Sequence, residues 1–186
     1  MPRLERLRLD HAPALLAFER ENRAYFAASI PDRGDAYFER FDDRLRESLA
    51  AQEAGLDLFH LVVDGAGSVL GRFNLLGVAQ GSAELGYRVA ERAAGRGLAT
   101  SAVREVCALA ATEYGLKTLR ARTTAANAGS RTVLARTGFL VTGDIELNGR
   151  PGLRFALDLP AADAVLPAGR RATGQGIGSA AGLIGD

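Results

Sequence analysis

The sequence is poor in the residues that build disulfides and metal sites. Its 186 residues include one cysteine, two histidines and no tryptophan. A single cysteine, Cys107, excludes an internal disulfide and gives no sign of an oxidising compartment. His11 and His60 lie far apart in sequence and suggest no metal pair, so we expect no metal. His60 alternates with apolar neighbours and Cys107 lies on an apolar stripe, which predicts structural roles for both.

The chain also lacks a long apolar run and an excess of charge of either sign. No apolar stretch reaches the roughly 20 residues of a membrane span, and residues 1–10 hold no signal-peptide core. The net charge is +1, from 23 basic and 22 acidic residues, so no basic field points to nucleic acid. We therefore expect a cytoplasmic protein that binds neither a membrane nor nucleic acid.

The composition is that of one globular domain followed by a tail. Apolar residues make up 47% and charged residues 24% of the chain, which suits a sizeable core. From Pro160 onward the sequence is rich in glycine and alanine and offers little to bury. We predict a folded domain over residues 1–159 and a flexible tail over residues 160–186 that is dispensable for chemistry.

The stretch from Ala83 to Leu109 predicts a strand, a glycine turn and a helix. Residues 83–90 form a short run that is bounded by turn residues and carries β-type side chains near its end. From Gly97 the apolar spacing changes to that of a helix with one buried stripe. The turn between them reads Ala-Gly-Arg-Gly-Leu-Ala over residues 94–99.

The glycine turn has the chemistry of a phosphate cradle. The first backbone N–H groups of a helix have no internal partner and carry partial positive charge. Glycines let a ligand approach the backbone, and Arg92 and Arg96 add cationic side chains. No lysine follows the glycines, which excludes a P-loop, and the dinucleotide fingerprint lacks its third glycine and its acid. A loop that uses glycine only to turn remains the alternative.

The rest of the chain predicts the element order β-α-α-β-β-β-α-β-α-β-β. Asp35 is predicted to cap a single helix that runs to about Ala54. Three consecutive strands between Leu58 and Ala90 indicate an antiparallel meander. The strand after the central helix is predicted to join through a right-handed crossover, parallel to the strand before the helix. Asn148-Gly149 predicts a closing hairpin.

Two stretches resemble the GCN5-related N-acetyltransferase (GNAT) superfamily. Its shared pattern Gln/Arg-x-x-Gly-x-Gly/Ala matches at Gly97 and Ala99, while the first position falls on Ala94. Glu84-Leu85-Gly86-Tyr87 resembles the RimJ/RimL-type ribosomal-protein alanine N-acetyltransferase branch. So does Asn-x-x-Ser followed eight residues later by Gly-Phe, over residues 127–139. The resemblance covers about residues 7–159.

The resemblance implies a single α/β domain of the GNAT type. Its sheet is expected to be mixed, mostly antiparallel and twisted, with a central β-α-β crossover and a V-shaped splay between the fourth and fifth strands. The implied activity is transfer of an acetyl group from acetyl-CoA to a primary amine, by direct attack in a ternary complex. A protein N-terminal α-amine is the favoured acceptor. The alternatives are a small amine, such as an antibiotic or polyamine, and a CoA-binding module without catalysis.

The resemblance also implies a site for acetyl-CoA. The diphosphate is expected on the N–H groups of the glycine turn, and the pantetheine arm along the end of the strand that begins at Ala83. Either a monomer or a homodimer is compatible with this arrangement. The expected cofactor-binding residues are Arg88, Val89, Arg92, Gly95, Arg96, Gly97, Leu98, Ala99, Thr100, Asn127 and Ser130.

The expected catalytic residues are Glu84 and Ser130. Ser130 matches the serine that protonates the leaving thiolate in the resembling branch, with Asn127 holding the cofactor or the tetrahedral intermediate. Capping of the following helix is the structural alternative for both Asn127 and Ser130. Glu84 is the candidate base, acting through a water. The alternative is that Glu84 is a solvated acid with no role in the reaction. Asp144 and Glu146 are the runners-up.

The resemblance implies that the two predicted N-terminal helices form one wall of the acceptor groove. For Tyr25 and Phe26, the alternative is that they are simply core residues. The expected substrate-binding residues are Asn22, Tyr25, Phe26 and Glu84.

Overall fold

The computed structural model describes residues 1–161, which form one seven-stranded sheet with helices on both faces. The predicted tail lies, from residue 162 onward, outside these residues. The strands are β1 (Arg3–Arg6), β2 (Leu58–Val63), β3 (Val69–Ala79), β4 (Ser82–Val89), β5 (Thr118–Thr124), β6 (Leu140–Leu147) and β7 (Arg150–Asp158). The helices are α1 (Ala12–Glu21), α2 (Arg23–Ala27), α3 (Asp35–Glu39), α4 (Phe41–Glu53), α5 (Leu98–Thr112) and α6 (Ala128–Arg136). Among residues 1–161, no helix is long and apolar enough to cross a membrane.

The sheet confirms the predicted mixed topology. Its strand order is β1-β2-β3-β4-β5-β7-β6, and every neighbouring pair is antiparallel except β4 and β5. The crossover through α5 makes that one pair parallel, as expected for a β-α-β unit. The hairpin at Asn148-Gly149 is also confirmed, since Leu147 pairs with Arg150 and both turn residues have positive φ, at 50° and 73°.

The core lies in two layers on opposite faces of the sheet. Val103, Val106 and Ala110 of α5 are fully buried against one face, because apolar residues recur on one side of that helix. Helices α1 to α4 cover the other face over β1, β2 and β3. Cys107 packs beside the α5 stripe, and burial raises the pKa of its thiol to about 11, as suits a core residue.

His60 is a buried core residue of β2. It is 1% exposed, and its Nε2 lies 2.8 Å from the hydroxyl of Tyr114. Burial lowers the pKa of His60 to about 4, so the imidazole is neutral near neutral pH. Nowhere in residues 1–161 do three or more histidine, cysteine, aspartate or glutamate residues come together in a group that could hold a metal ion.

The prediction of one helix from Asp35 to Ala54 is wrong, because the chain turns at Arg40 and forms two helices, α3 and α4. Asp35 does not cap α3. Gly34 stands at the cap position, and Asp35 instead accepts a hydrogen bond from Arg23 at 2.7 Å. This contact ties α3 to α2, whereas the apolar stripe of α4 packs on the sheet. The turn at Arg40 satisfies both attachments.

The parallel strands β4 and β5 diverge half-way along. Their pairing runs from Ser82 with Thr118 to Leu85 with Ala121 and stops there, although β4 continues to Val89. Ala90 N–H donates to Leu70 O of β3. Because alternate residues of a strand point their N–H groups to opposite sides, the N–H groups of residues 87 and 89 face the opening toward β5. The predicted V-shaped splay is therefore present.

Candidate active site

The glycine turn places a row of unused backbone donors at the start of α5. Gly95 and Gly97 have φ of 72° and 80°, a conformation that glycine adopts without strain, and Gly97 stands at the cap position of α5. Within the described chain, the amides of residues 95–100 donate to no backbone or side-chain acceptor. They are the unsatisfied N–H groups of a helix start, with the positive end of the helix dipole behind them.

The space above these amides is open. A Cβ built on Gly95 or Gly97 meets no heavy atom within 4 Å, so the space beside both glycines is open. Free N–H groups, a helix N-terminus and an uncovered approach are what a diphosphate requires. The geometry of the glycine turn therefore fits the predicted cradle.

A pocket of about 480 Å³ joins the cradle to the splay. It runs from the N-terminus of α5 between α6 and the end of β4 and reaches α2. An elongated ligand can thus lie with its anionic part on the α5 amides and its other end beside the free edge of β4. The residues lining the pocket include Tyr25, Phe26, Tyr87, Arg88, Val89, Gly95, Gly97, Leu98, Ala99, Thr100, Asn127, Gly129 and Ser130.

The start of α6 separates the roles of Asn127 and Ser130. Asn127 is the cap of α6, and its Oδ1 accepts a hydrogen bond from Ser130 N at 3.0 Å. The Ser130 hydroxyl takes no part in capping. Its Oγ lies 3.1 Å from the Tyr87 hydroxyl and lines the pocket. Capping therefore accounts for Asn127, while the Ser130 hydroxyl remains available to a ligand.

The capping assignment predicts how two alanine variants differ in stability. Asn127→Ala removes the cap, so it should lower the free energy of unfolding by about 1 kcal/mol and Tm by roughly 2–4 °C. Ser130→Ala should leave Tm nearly unchanged, since its hydroxyl caps nothing. Thermal unfolding of both variants without ligand measures this. An equal loss of Tm in both would contradict the assignment.

Tyr87 is a pocket residue that sequence reasoning did not single out. Its hydroxyl contacts both Oγ and the backbone oxygen of Ser130, at 3.1 and 3.3 Å. Burial raises the pKa of Tyr87, while the hydrogen bond to Ser130 opposes the shift. Tyr87 thus stays protonated near neutral pH and can donate to Ser130. The sequence feature that could have pointed to Tyr87 is its place in the Glu84-Leu85-Gly86-Tyr87 segment, which resembles the RimJ/RimL-type branch.

Four predicted cofactor or acceptor residues do not line the pocket: Asn22, Glu84, Arg92 and Arg96. Arg92 and Arg96 line an adjoining cavity that shares Ala93, Gly97 and Leu98 with the pocket, and Arg92 lies 3.6 Å from Asp64. Asn22 is buried, and its amide nitrogen donates to Phe18 O at 2.9 Å. Its amide oxygen accepts a hydrogen bond from Glu91 N. Asn22 therefore joins α1 to the turn after β4 through both ends of its side-chain amide.

Glu84 lies on the other face of β4 from Tyr87. It shares its face with Gly86 and Arg88, because side chains alternate along a strand. Its Oε1 accepts a hydrogen bond from Arg122 Nε at 2.8 Å, and it does not line the pocket. A Cβ on Gly86 would meet nothing within 4 Å, so the strand surface between Glu84 and Arg88 is open. An acceptor can approach the splay across this surface.

Two residues predicted for the acceptor wall, Tyr25 and Phe26, lie on α2. Tyr25 is 39% exposed and lines the pocket, together with Phe26. Phe26 is buried, packs on Phe18 at a centroid distance of 5.4 Å, and has the Arg88 guanidinium 5.3 Å from its ring centre. Phe26 is thus both a core residue and part of the pocket wall, while Tyr25 is free to contact a ligand.

Comparison with known proteins decides the family. The sequence matches the acetyltransferase (GNAT) domain family over residues 3–140. The chain is a GNAT acetyltransferase. As a member of this family it is an acetyl-CoA-dependent N-acetyltransferase, and it resembles the RimJ/RimL-type branch, as the sequence predicted.

Solved structures share the fold of this GNAT acetyltransferase at low sequence identity. A ribosomal-protein-S5-alanine acetyltransferase from Vibrio fischeri is 20% identical, with a TM-score of 0.78 over 83% of this chain and 91% of that one. RimJ from Mycobacterium smegmatis, in complex with CoA-disulfide, is 24% identical, with a TM-score of 0.75 over 87% and 82%. A spermidine N-acetyltransferase from Vibrio cholerae, in complex with CoA and spermine, is 15% identical, with a TM-score of 0.70 over 84% and 95%. A search of curated proteins gives no match.

Proposed function

We propose that this GNAT acetyltransferase acetylates the N-terminal α-amine of a protein, by direct attack of the amine on acetyl-CoA in a ternary complex. The observation that carries the proposal is the open surface at Gly86, which meets the splay from the face opposite the cradle. Cofactor and acceptor can therefore reach the same gap from two sides. Acetyl-CoA supplies an acetyl thioester, and the residues around the gap bind, orient and exchange protons.

In this proposal the α5 amides bind the diphosphate and the free edge of β4 orients the thioester. The N–H groups of residues 87 and 89, which face the opening, are available to hold the pantetheine amides. An N–H at this edge also stabilises negative charge that develops on the thioester oxygen. Ser130 donates its proton to the leaving sulfur. The Tyr87 hydroxyl donates to Ser130 O and lies 3.1 Å from Ser130 Oγ, and in this proposal it holds the serine in place for that transfer.

Glu84 is the proposed base for the acceptor amine, acting through a water. The position of Glu84 supports this role, because it lies two residues from Gly86 on the acceptor face of β4. Arg122 holds its carboxylate by a hydrogen bond of 2.8 Å. Asp144 and Glu146 are exposed residues of β6 and are the other carboxylates proposed for this role.

The base assignment predicts a loss of rate in Glu84→Gln. Removing a general base should lower kcat/KM for the acceptor by about 10²-fold while CoA affinity stays the same, because Glu84 lies outside the cofactor pocket. Glu113→Gln, an exposed acid near the end of α5, is the matched control. Steady-state rates at saturating acetyl-CoA measure both. A normal rate in Glu84→Gln, with a loss in Asp144→Asn or Glu146→Gln, would transfer the role to β6.

Mass spectrometry of acceptors incubated with acetyl-CoA tests the proposed function itself. The panel should include peptides with free and blocked N-termini, peptides with internal lysines, spermidine and an aminoglycoside. We expect acetylation of free N-termini and none of N-terminally blocked peptides. Acetylation confined to the small amines would overturn the protein N-terminus as acceptor and leave the acetyl transfer in place.

A further inference from the structure

Three exposed arginines lie on one face of the sheet, next to the acceptor surface. Leu119 and Ala121 of β5 are buried on the α5 side, so Arg120 and Arg122 point to the opposite face, because side chains alternate along a strand. Arg122 stands directly opposite Arg154 of β7. All three arginine side chains are exposed. We call Arg120, Arg122 and Arg154 the arginine face.

The arginine face begins where β4 and β5 diverge. Glu84 pairs with Arg120, which puts Gly86 and Arg122 at the mouth of the splay. Because β7 lies on the far side of β5, Arg154 is at least two strand spacings, or about 10 Å, from Gly86. Helices α1 to α4 cover β1, β2 and β3, whereas the arginines are exposed to solvent. A chain that leaves the splay in this direction therefore has an open path along the sheet.

The cations of the arginine face outnumber the acids beside them. On β4 to β7, this side of the sheet carries two carboxylates, those of Glu84 and Asp158. Glu84 accepts a hydrogen bond from Arg122 at 2.8 Å, and Asp158 accepts one from Thr118 at 3.1 Å. Among residues 1–161, the other two arginines of the face make no ion pair. Arg150, which is also exposed, adds a further cation on this side of β7.

The facing arginines make an unfavourable contact that an anion would reverse. Like charges that stand directly opposite each other destabilise an antiparallel pair, and Arg122 and Arg154 stand in this way. A carboxylate between two guanidinium groups makes a charge-assisted hydrogen bond with each. Residues 162–186 carry two aspartates and two arginines, so their side chains offer no excess of acid. A second copy of the same face would bring more cations. The face therefore fits an acidic partner.

We propose that the arginine face binds an acidic segment of the acceptor protein, with aspartate or glutamate at about the third to fifth positions from the acetylated N-terminus. This inference rests on the proposed function and adds to it the chemistry of the acceptor. An extended peptide advances about 3.4 Å per residue, so a chain whose amine reaches Gly86 places its fourth residue near Arg154. A polyamine carries only positive charge, which this face repels.

Matched acidic and neutral peptides measure the selectivity. They begin with the same two residues and carry either glutamate or glutamine at positions three, four and five. The wild-type enzyme should acetylate the glutamate peptide with a kcat/KM at least about fivefold higher, as expected of two exposed ion pairs together. The difference should lie in KM, because the segment binds away from the reacting atoms. Raising the salt concentration should lower the ratio, since the charges are exposed.

The double variant Arg120→Gln/Arg154→Gln should reduce this ratio to below about twofold. Arg122 is kept because it holds Glu84. The ratio is taken within one variant, so a general change in activity does not enter it. Folding should be retained, since loss of Arg154 relieves the like-charge pair, and thermal unfolding checks this. The matched control is Arg3→Gln, which removes an exposed strand arginine at the opposite edge of the sheet and should keep the wild-type ratio.

Each contrary result has a separate meaning. Equal kcat/KM for the two peptides, or an unchanged ratio in the double variant, would overturn the acidic-segment site and leave N-terminal acetylation intact. An RNA hairpin that binds the wild type and not the double variant, with equal peptide rates, would assign the face to nucleic acid. A dimer in sedimentation that the double variant loses, again with equal peptide rates, would assign it to a second copy. Acetylation of spermidine and of neither peptide would overturn the proposed function together with this site.

Discussion

Gly97→Trp should raise the Kd for CoA by at least about 100-fold. The amides at the start of α5 have no protein acceptor, and a side chain on Gly97 would enter the open space above them. Each hydrogen bond from an amide to a charged phosphate contributes about 1.5–3 kcal/mol, so the loss of two accounts for this factor. Calorimetry with CoA measures the affinity directly, without an acceptor.

A matched control separates the cradle from backbone strain. Gly115 also has a positive φ, of 62° against 80° for Gly97, and a Cβ there also meets nothing within 4 Å. It lies beyond the other end of α5, outside the pocket. Gly115→Trp should therefore show a similar loss of stability, of about 1–2 kcal/mol, and normal CoA affinity. Unchanged affinity in Gly97→Trp would remove the basis of the site.

Ser130→Ala should lower kcat by about 10²-fold with little change in CoA affinity. The proposed role of its hydroxyl is to protonate the leaving sulfur, and a general acid contributes a factor of this size. Tyr87→Phe should lower kcat by about tenfold, because Tyr87 acts only through Ser130 by the contact of 3.1 Å. The double variant should be no slower than Ser130→Ala, since residues that act as one unit are not additive.

The control for this series is Ser101→Ala, an exposed serine in the first turns of α5 that lies outside the cofactor pocket. Its kcat should match that of the wild type. Rates are measured by following the release of the CoA thiol directly. A full rate in Ser130→Ala would refute the acid role, and additive losses in the double variant would refute the coupling with Tyr87.

The parts of the fold that sequence reasoning predicted are those with a local cause. The glycine turn before α5 and the Asn-Gly hairpin each depend on a few neighbouring residues, and both are present. The crossover follows from the order of elements and the handedness of β-α-β units. The break at Arg40 has no local signal, since neither glycine nor proline stands there, and the Arg23–Asp35 contact at the start of α3 joins residues 12 positions apart.

The candidate site likewise contains residues that the sequence could identify and residues that only the fold brings together. The glycines of the cradle and the Asn-x-x-Ser segment could be found in the sequence, and they line one pocket. Arg122 is 38 residues from Glu84, and no periodicity connects positions so far apart. The directions of Arg92 and Arg96 likewise depend on how the turn packs. The position of an arginine near a motif in the sequence therefore does not predict which cavity its side chain lines.

The cradle at the start of α5 consists of main chain, and this frees the neighbouring side chains from selection for cofactor contact. Every residue type except proline supplies the same N–H, so what is demanded at that point is the small size and the positive φ of Gly95 and Gly97. Ala94, where the superfamily pattern has glutamine or arginine, leaves those donors unaltered. Homologous enzymes can therefore drift far apart in sequence and still hold the same thioester, and divergence is better tracked through backbone shape than through identity.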